Sequence, residues 1–129
     1  MIVSVATTSG LFSVDPVTCE VLPGEAFEPP PAPTLNLPRV VAAAEAGSTV
    51  VAVVDARPPM LVSHDAGTTW RESGRGLPAG TAVAIADWDP DLLVYAGRNR
   101  LYLSQDGGVF WTALEVELPE VSAVALREY

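Results

Sequence analysis

Ser63, His64 and Asp65 stand side by side in the segment SHDAGTTW, and by residue type they are the nucleophile, base and orienting acid of hydrolytic chemistry. A near copy, SQDGGVFW, runs from Ser104 to Trp111 and replaces His64 by Gln105, while Ser, Asp, Gly and Trp are kept. What repeats is therefore a turn. His64 has no visible nucleophile partner and reads as an exposed turn residue. Calcium is the second chemistry that Ser63, Asp65 and Asp106 suggest. Each copy carries one carboxylate, whereas a hard cation wants about six oxygens or more, so no metal site is expected.

A third chemistry is anion binding. Arg57 in DARPP and Arg98 and Arg100 in GRNR fall in loops between strands, and Arg57 and Arg98 are 41 residues apart. Guanidinium groups gathered on one face could hold a carboxylate or phosphate by bidentate hydrogen bonds. The plainer reading is ion pairing at the surface with Asp55, Asp87, Asp89, Asp91 or Glu45. Cys19 is the single cysteine, which excludes an internal disulfide and a thiolate cluster, and it reads as a small hydrophobe. No glycine-rich phosphate loop or metal-ligand spacing is present, so no cofactor is expected.

The elements that position these residues follow from the same ruler. Ser63 and Ser104, Asp65 and Asp106, and Trp70 and Trp111 are all 41 residues apart, as are the small-residue runs VAAAEA, AVAIAD and AVALRE. Each unit reads as four short strands rich in apolar and β-branched residues, separated by Gly, Pro, Asp and Asn. In one unit they cover about Val40–Ala46, Val50–Val54 and Met60–Ser63, with a fourth from near Trp70. In the next they cover Ala82–Ala86, Leu92–Ala96, Leu101–Ser104 and Trp111–Val116. The amino terminus supplies only three, MIVSVA, GLFSVD and CEVLPG, and the carboxyl terminus one more, VSAVALREY.

The pattern Ser-x-Asp-x-Gly-x-x-Trp between two strands resembles the Asp-box, or bacterial neuraminidase repeat, of β-propellers such as sialidases, sortilin-type receptors and photosystem assembly propellers. Ser63, Asp65, Gly67, Thr69 and Trp70 match it fully; Ser104, Asp106, Gly108 and Trp111 match, with Phe110 in place of the common Thr. A degenerate copy keeps Ser13 and Asp15 but has Val17 for Gly and no Trp. The resemblance implies an all-β fold of four-stranded antiparallel blades around a channel. The box is structural on its own terms: Ser and Asp bond nearby backbone, Gly allows positive φ and Trp adds apolar area. In sialidases the family adds a tyrosine nucleophile and an arginine cluster. Here LPRV, Leu37 to Val40, is only a faint echo of the Arg-Ile-Pro segment, and Tyr95 and Tyr102 fall on strands where packing is their expected role.

One domain, 1–129, is expected, with three blades per chain. The first is 1–24 completed by a strand from 121–129; a proline-rich connector follows at 25–38, then blades at 39–79 and 80–120. Propellers close with about four to eight blades, so three do not close alone. The expectation is a six-bladed homodimer in which Val121 to Tyr129 of each chain completes the first blade of the other. Closure within one chain, a trimer with nine blades and a fragment of a longer propeller are the rivals.

Composition bounds the function. A hydrophobic share of 49% and a charged share of 18% fit a globular chain, and no apolar run reaches the roughly 18 residues of a membrane helix. A net charge of -9 argues against nucleic acid and anionic membranes. MIVSVATTSG lacks the features of an export signal, and the cytoplasm is expected. The expected function is non-enzymatic: a binding or scaffolding module that takes a protein or an acidic small ligand on its loop face. A lectin-like glycan binder or a sialidase-like hydrolase remnant is the alternative.

Overall fold

Runs such as TVVAVV and GTAVAIA consist almost wholly of β-branched and small apolar residues, which suit a pleated surface covered on both sides. In a computed structural model, residues 1–29 and 31–128 are described; Pro30 of the connector and Tyr129 of the expected last strand lie outside the described residues. Among the described residues the chain is all-β. Its strands are β1 (Ile2–Thr7), β2 (Gly10–Val14), β3 (Val21–Pro23), β4 (Val40–Ala46), β5 (Thr49–Val54) and β6 (Met60–Ser63). They continue as β7 (Arg71–Ser73), β8 (Gly80–Ala86), β9 (Asp89–Gly97), β10 (Leu101–Ser104), β11 (Thr112–Ala113) and β12 (Val121–Arg127).

These strands form three antiparallel four-stranded sheets, none closed on itself. Their orders are β12-β1-β2-β3, β4-β5-β6-β7 and β11-β10-β9-β8. The last strand therefore joins the first sheet of its own chain, with register from Ile2 opposite Arg127 to Thr7 opposite Val121. In the single chain this strand pairs with β1 of the same molecule, whereas the sequence leads one to expect it from a second chain. Such pairing needs no second molecule and so escapes the entropic cost of association.

The third sheet, β8 to β11, lies between the other two. Val83, Ile85, Leu93 and Tyr95 on one of its faces pack against Val51, Val53, Met60 and Val62 of the second sheet. Ala82, Ala84, Val94, Ala96 and Leu101 on the other pack against Val3, Val5, Val14 and Val124 of the first. Two apolar cores thus share one sheet. β5 is buried along its whole length, from Thr49 to Val54. Of the connector, Pro33, Leu35 and Leu37 are half-buried and alternate with exposed Thr34, Asn36 and Pro38, the two-residue period of an extended segment lying on a surface.

Two details depart from the 41-residue ruler. Val53 sits opposite Ala42 and Val94 opposite Ala84, so the second strands are 41 residues apart while the inner strands are 42 apart. Each inner strand starts with an irregularity, between Val40 and Ala42 and between Gly80 and Ala82, and β8 has a second between Ile85 and Ala86 that β4 lacks. The fourth strands are also shorter than expected: β11 is only Thr112–Ala113, where Trp111–Val116 is predicted.

Gly80 opens β8 where the chain passes closest to a neighbour. A Cβ there would fall on the ring of Tyr95, whose hydroxyl donates to the Pro78 carbonyl at 2.5 Å. Burial, helped by Tyr102, pushes the Tyr95 phenol up to about 12, so the hydroxyl keeps its proton and this bond near neutrality. Gly80→Ala is expected to lower the unfolding free energy by about 1–3 kcal/mol through overpacking. Urea denaturation reads this directly, and an unchanged midpoint would show that the ring yields freely.

Candidate functional site

The turn at Ser63–Trp70 is built from side chains that serve the backbone. Ser63 Oγ donates to Asp65 Oδ1 at 2.7 Å and accepts from the Gly67 N–H at 2.8 Å. Asp65 in turn accepts from the Thr69 N–H at 2.8 Å and from the Thr69 hydroxyl at 2.5 Å. Ala66 and Gly67 have positive φ of 58° and 87°, which the side-chain bonds hold in place. The copy follows the same scheme: Ser104 Oγ donates to Asp106 at 2.8 Å and accepts from the Gly108 N–H, while Asp106 accepts from the Val109 and Phe110 N–H groups. Phe110 has no hydroxyl to add the bond that Thr69 makes.

In the degenerate turn Asp15 accepts from the Val17 and Thr18 N–H groups, and Cys19 at φ 59° takes the left-handed position. Ser13 does not pair with Asp15 in this way; it receives a long bond from Arg127 at 3.5 Å. Cys19 itself is half-buried against the core.

The triad of residue types at Ser63, His64 and Asp65 does not assemble a relay. Ser63 is 1% exposed and its hydroxyl is spent on the turn. His64 is exposed, and its Nδ1 lies 3.3 Å from Thr49 Oγ1. The Thr69 bonds, with that from Ser63, hold the Asp65 carboxyl down to about 2, and bonds from Phe110 and Ser104 lower Asp106 as well. Neither carboxyl is poised as a proton carrier near neutrality. Among the described residues, no group of three or more His, Cys, Asp or Glu is arranged to hold a metal ion.

The tryptophans of the two turns differ in their surroundings. Trp111 packs edge-on against Tyr95 with centroids 6.0 Å apart, and its Nε1–H donates to Ser73 Oγ at 3.2 Å. Ser73 Oγ itself donates to the Gly108 carbonyl, and Arg71 donates to the Gly107 carbonyl at 2.8 Å. The turn of the third sheet is thereby tied to β7 of the second. Trp70 is half-buried beside Gly67.

The three arginines do not share one environment. Arg98 faces Glu120 at 3.9 Å and Arg100 faces Glu117 at 3.7 Å, both as solvated pairs. Their partners are these glutamates, and not Asp89 or Asp91, which begin β9 at the end of the strand opposite the Arg98 loop. Backbone bonds from Val121 N–H to the Arg98 carbonyl and from Leu118 N–H to the Asn99 carbonyl pin that loop to the segment entering β12. Arg57 sits elsewhere. Among the described residues it makes no ion pair, and with Pro58, Pro59, Arg75 and Leu77 it lines a cleft of about 240 Å³.

Arg75, Arg71 and Ser73 were not singled out by sequence reasoning. The one available signal was Phe110, whose departure from Thr leaves a large apolar side chain in a turn. It is 77% exposed.

No family model matches the chain, and no curated protein matches it. Among solved structures the chain is similar to a GH74 enzyme of Niastella koreensis, at 23% identity and a TM-score of 0.52. The match covers 95% of this chain and 19% of that one. At this identity the likeness carries the fold alone, and it agrees with a propeller-like all-β arrangement.

The lowered carboxyl of Asp65 fixes the sign of an acid effect. Its stabilising contribution is complete above the ordinary value of 3.8 and is lost as the pH falls towards 2. Asp65→Asn is therefore expected to melt below the wild type at pH 6, with a deficit that shrinks as both are taken to pH 2. A deficit that stays constant across that range would sink the assignment. Ser63→Ala, which strips a partner from the Gly67 N–H, is expected to cost about 1–3 kcal/mol in chemical denaturation.

Proposed function

We propose that the chain is a non-enzymatic, propeller-type binding module whose three sheets are blades, working as a homo-oligomer with a six-bladed dimer as the favoured form. The observation that carries this reading is a groove of about 300 Å³ along the inner strands. Ala43 and Ala44 of β4, Val83 and Ala84 of β8 and Ala123 and Val124 of β12 line it together. In a closed ring such strands form the channel wall, and three blades supply half of a six-bladed one.

The docking surface for the second copy is the face of the first sheet turned away from the third, where half-buried Ala123 and Ala125 of β12 lie beside half-buried Ala6 of β1. The strand Val121–Arg127 thus contributes to assembly by its face, with its edge already paired to β1. A protein or an acidic small ligand binds on the loop face, among the β5–β6, β7–β8 and β9–β10 connections. Paired Arg98 and Arg100 make the arginines of the third blade poorer anchors than Arg57.

A second reading, a glycan-binding or hydrolase-remnant role, would carry over the activity of the GH74 neighbour, whose likeness reaches only the fold. No carboxylate pair in the described turns is set for it, since Asp65 and Asp106 are each committed to one backbone turn.

Light scattering at micromolar concentration is expected to give about 27 kDa, twice the 13.5 kDa chain, and Ala125→Arg is expected to give the single chain. A monodisperse monomer for the wild type overturns the dimer. A fluorogenic glycoside panel and a glycan array are expected to be silent, and turnover of any glycoside would replace this reading by the second.

A further inference from the structure

The cleft beside Arg57 does not end at the loop face. Arg75, Gly76 and Leu77 also line a larger cleft of about 430 Å³ that runs along Arg71–Ser73 to Gly108, Val109, Phe110 and Trp111. Sharing these three residues, the two cavities adjoin as a groove beside β7 and the turn of the third sheet. We propose that this groove binds an extended acidic peptide carrying an apolar side chain. This rests on the binding-module reading and names its ligand.

Three observations converge on that chemistry. First, three of the seven basic residues, Arg57, Arg71 and Arg75, gather on the groove of a chain whose net charge is -9. Among the residues lining the groove the one acid is Glu72, which meets Arg75 at 3.9 Å with both side chains more than half exposed, a pair easily exchanged for a ligand carboxylate. Arg57 is exposed and, among the described residues, without an ion pair, so its fork of donors is available to a carboxylate.

Second, the far end of the groove is apolar and open. Val109 is 53% exposed and Phe110 77%, adjacent in a turn where the repeat otherwise places threonines. The hydrogen bonding of the turn uses the Phe110 N–H and not its side chain. An exposed apolar patch bordered by arginines is an anchor for a ligand that carries both characters.

Third, the floor of the groove is a strand edge. β7 pairs with β6 through Arg71, Glu72 and Ser73 and is the outermost strand of its sheet, so among the described residues its other edge meets no strand. Main-chain pairing to such an edge selects an extended peptide, with alternate side chains directed to the arginines and to Phe110. A polyanionic glycan would meet the arginines but would leave the strand edge without a matching backbone.

The test uses the full chain and a fluorescein-labelled octapeptide that alternates glutamate with leucine and phenylalanine, read by anisotropy. Saturable binding that weakens with salt is expected, with at least about a tenfold loss in Arg57→Gln with Arg75→Gln and a loss in Phe110→Ser. All three residues are exposed, so these variants are expected to keep the wild-type melting midpoint. No binding by the wild type, equal binding of the same peptide with lysine for glutamate, or an unchanged affinity in the double variant overturns the proposal. So does binding of polygalacturonate in place of the peptide. Loss of peptide binding in Arg98→Ala with Arg100→Ala, and not in the groove variants, overturns the location while the binding-module reading stands. The groove lies within one chain, so a monomer in light scattering removes the dimer and leaves this site intact.

Discussion

Burial of the third sheet on both faces is the constraint from which the rest of the structure follows. Val83, Ile85, Leu93 and Tyr95 turn to the second sheet, and Ala82, Ala84, Val94 and Ala96 turn to the first. A fully buried Val, Leu or Ile stabilises by about 1.5–3 kcal/mol, so a sheet covered twice holds both neighbours in place. The two faces differ in bulk. Bulkier residues of β8 meet the second sheet and its alanines meet the first, and the inner strands β4, β8 and β12 line one groove.

The turns answer a different need. Buried backbone at the ends of short strands must find hydrogen-bond partners, and Ser63, Asp65 and Thr69 supply them within seven residues of chain. Because such a turn is satisfied internally, its outer positions are free to vary. His64 and Gln105 occupy one such position. The third sheet's turn then acquires a second task, since Arg71 and Ser73 of β7 reach across to the carbonyls of Gly107 and Gly108. That crossing creates the groove between the two sheets, with cations on one wall and Phe110 on the other.

Legibility in the sequence follows the range of the interactions. The four-strand unit, the two repeated turns and the membership of β12 in the first sheet could all be read from a 41-residue period and from alternation of apolar residues. The arginines were only half legible. Equivalent spacing placed Arg57 and Arg98 at matching loops, yet Arg98 meets Glu120 while Arg57 lines a cleft with Arg75. Identical positions in a repeat acquire different partners because their neighbours lie in segments that do not repeat. The one-residue difference in register between β4 and β8 was likewise hidden, since it leaves the apolar pattern of an alanine run unchanged.

By itself the sequence determined what depends on residues close along the chain: the turns, the strands they join and the repeated unit. Side chains within a few residues of a strand end decide whether its backbone groups are satisfied, and that chemistry is written in order. Only the tertiary structure decided that β12 pairs with β1 in the same molecule, a contact in which Ser122 bonds the Ala6 carbonyl across 116 residues. It also decided that Arg57, Arg71 and Arg75 share a groove with Phe110. Such neighbours are selected by how whole sheets stack to bury apolar area, and no local spacing records the outcome of that packing.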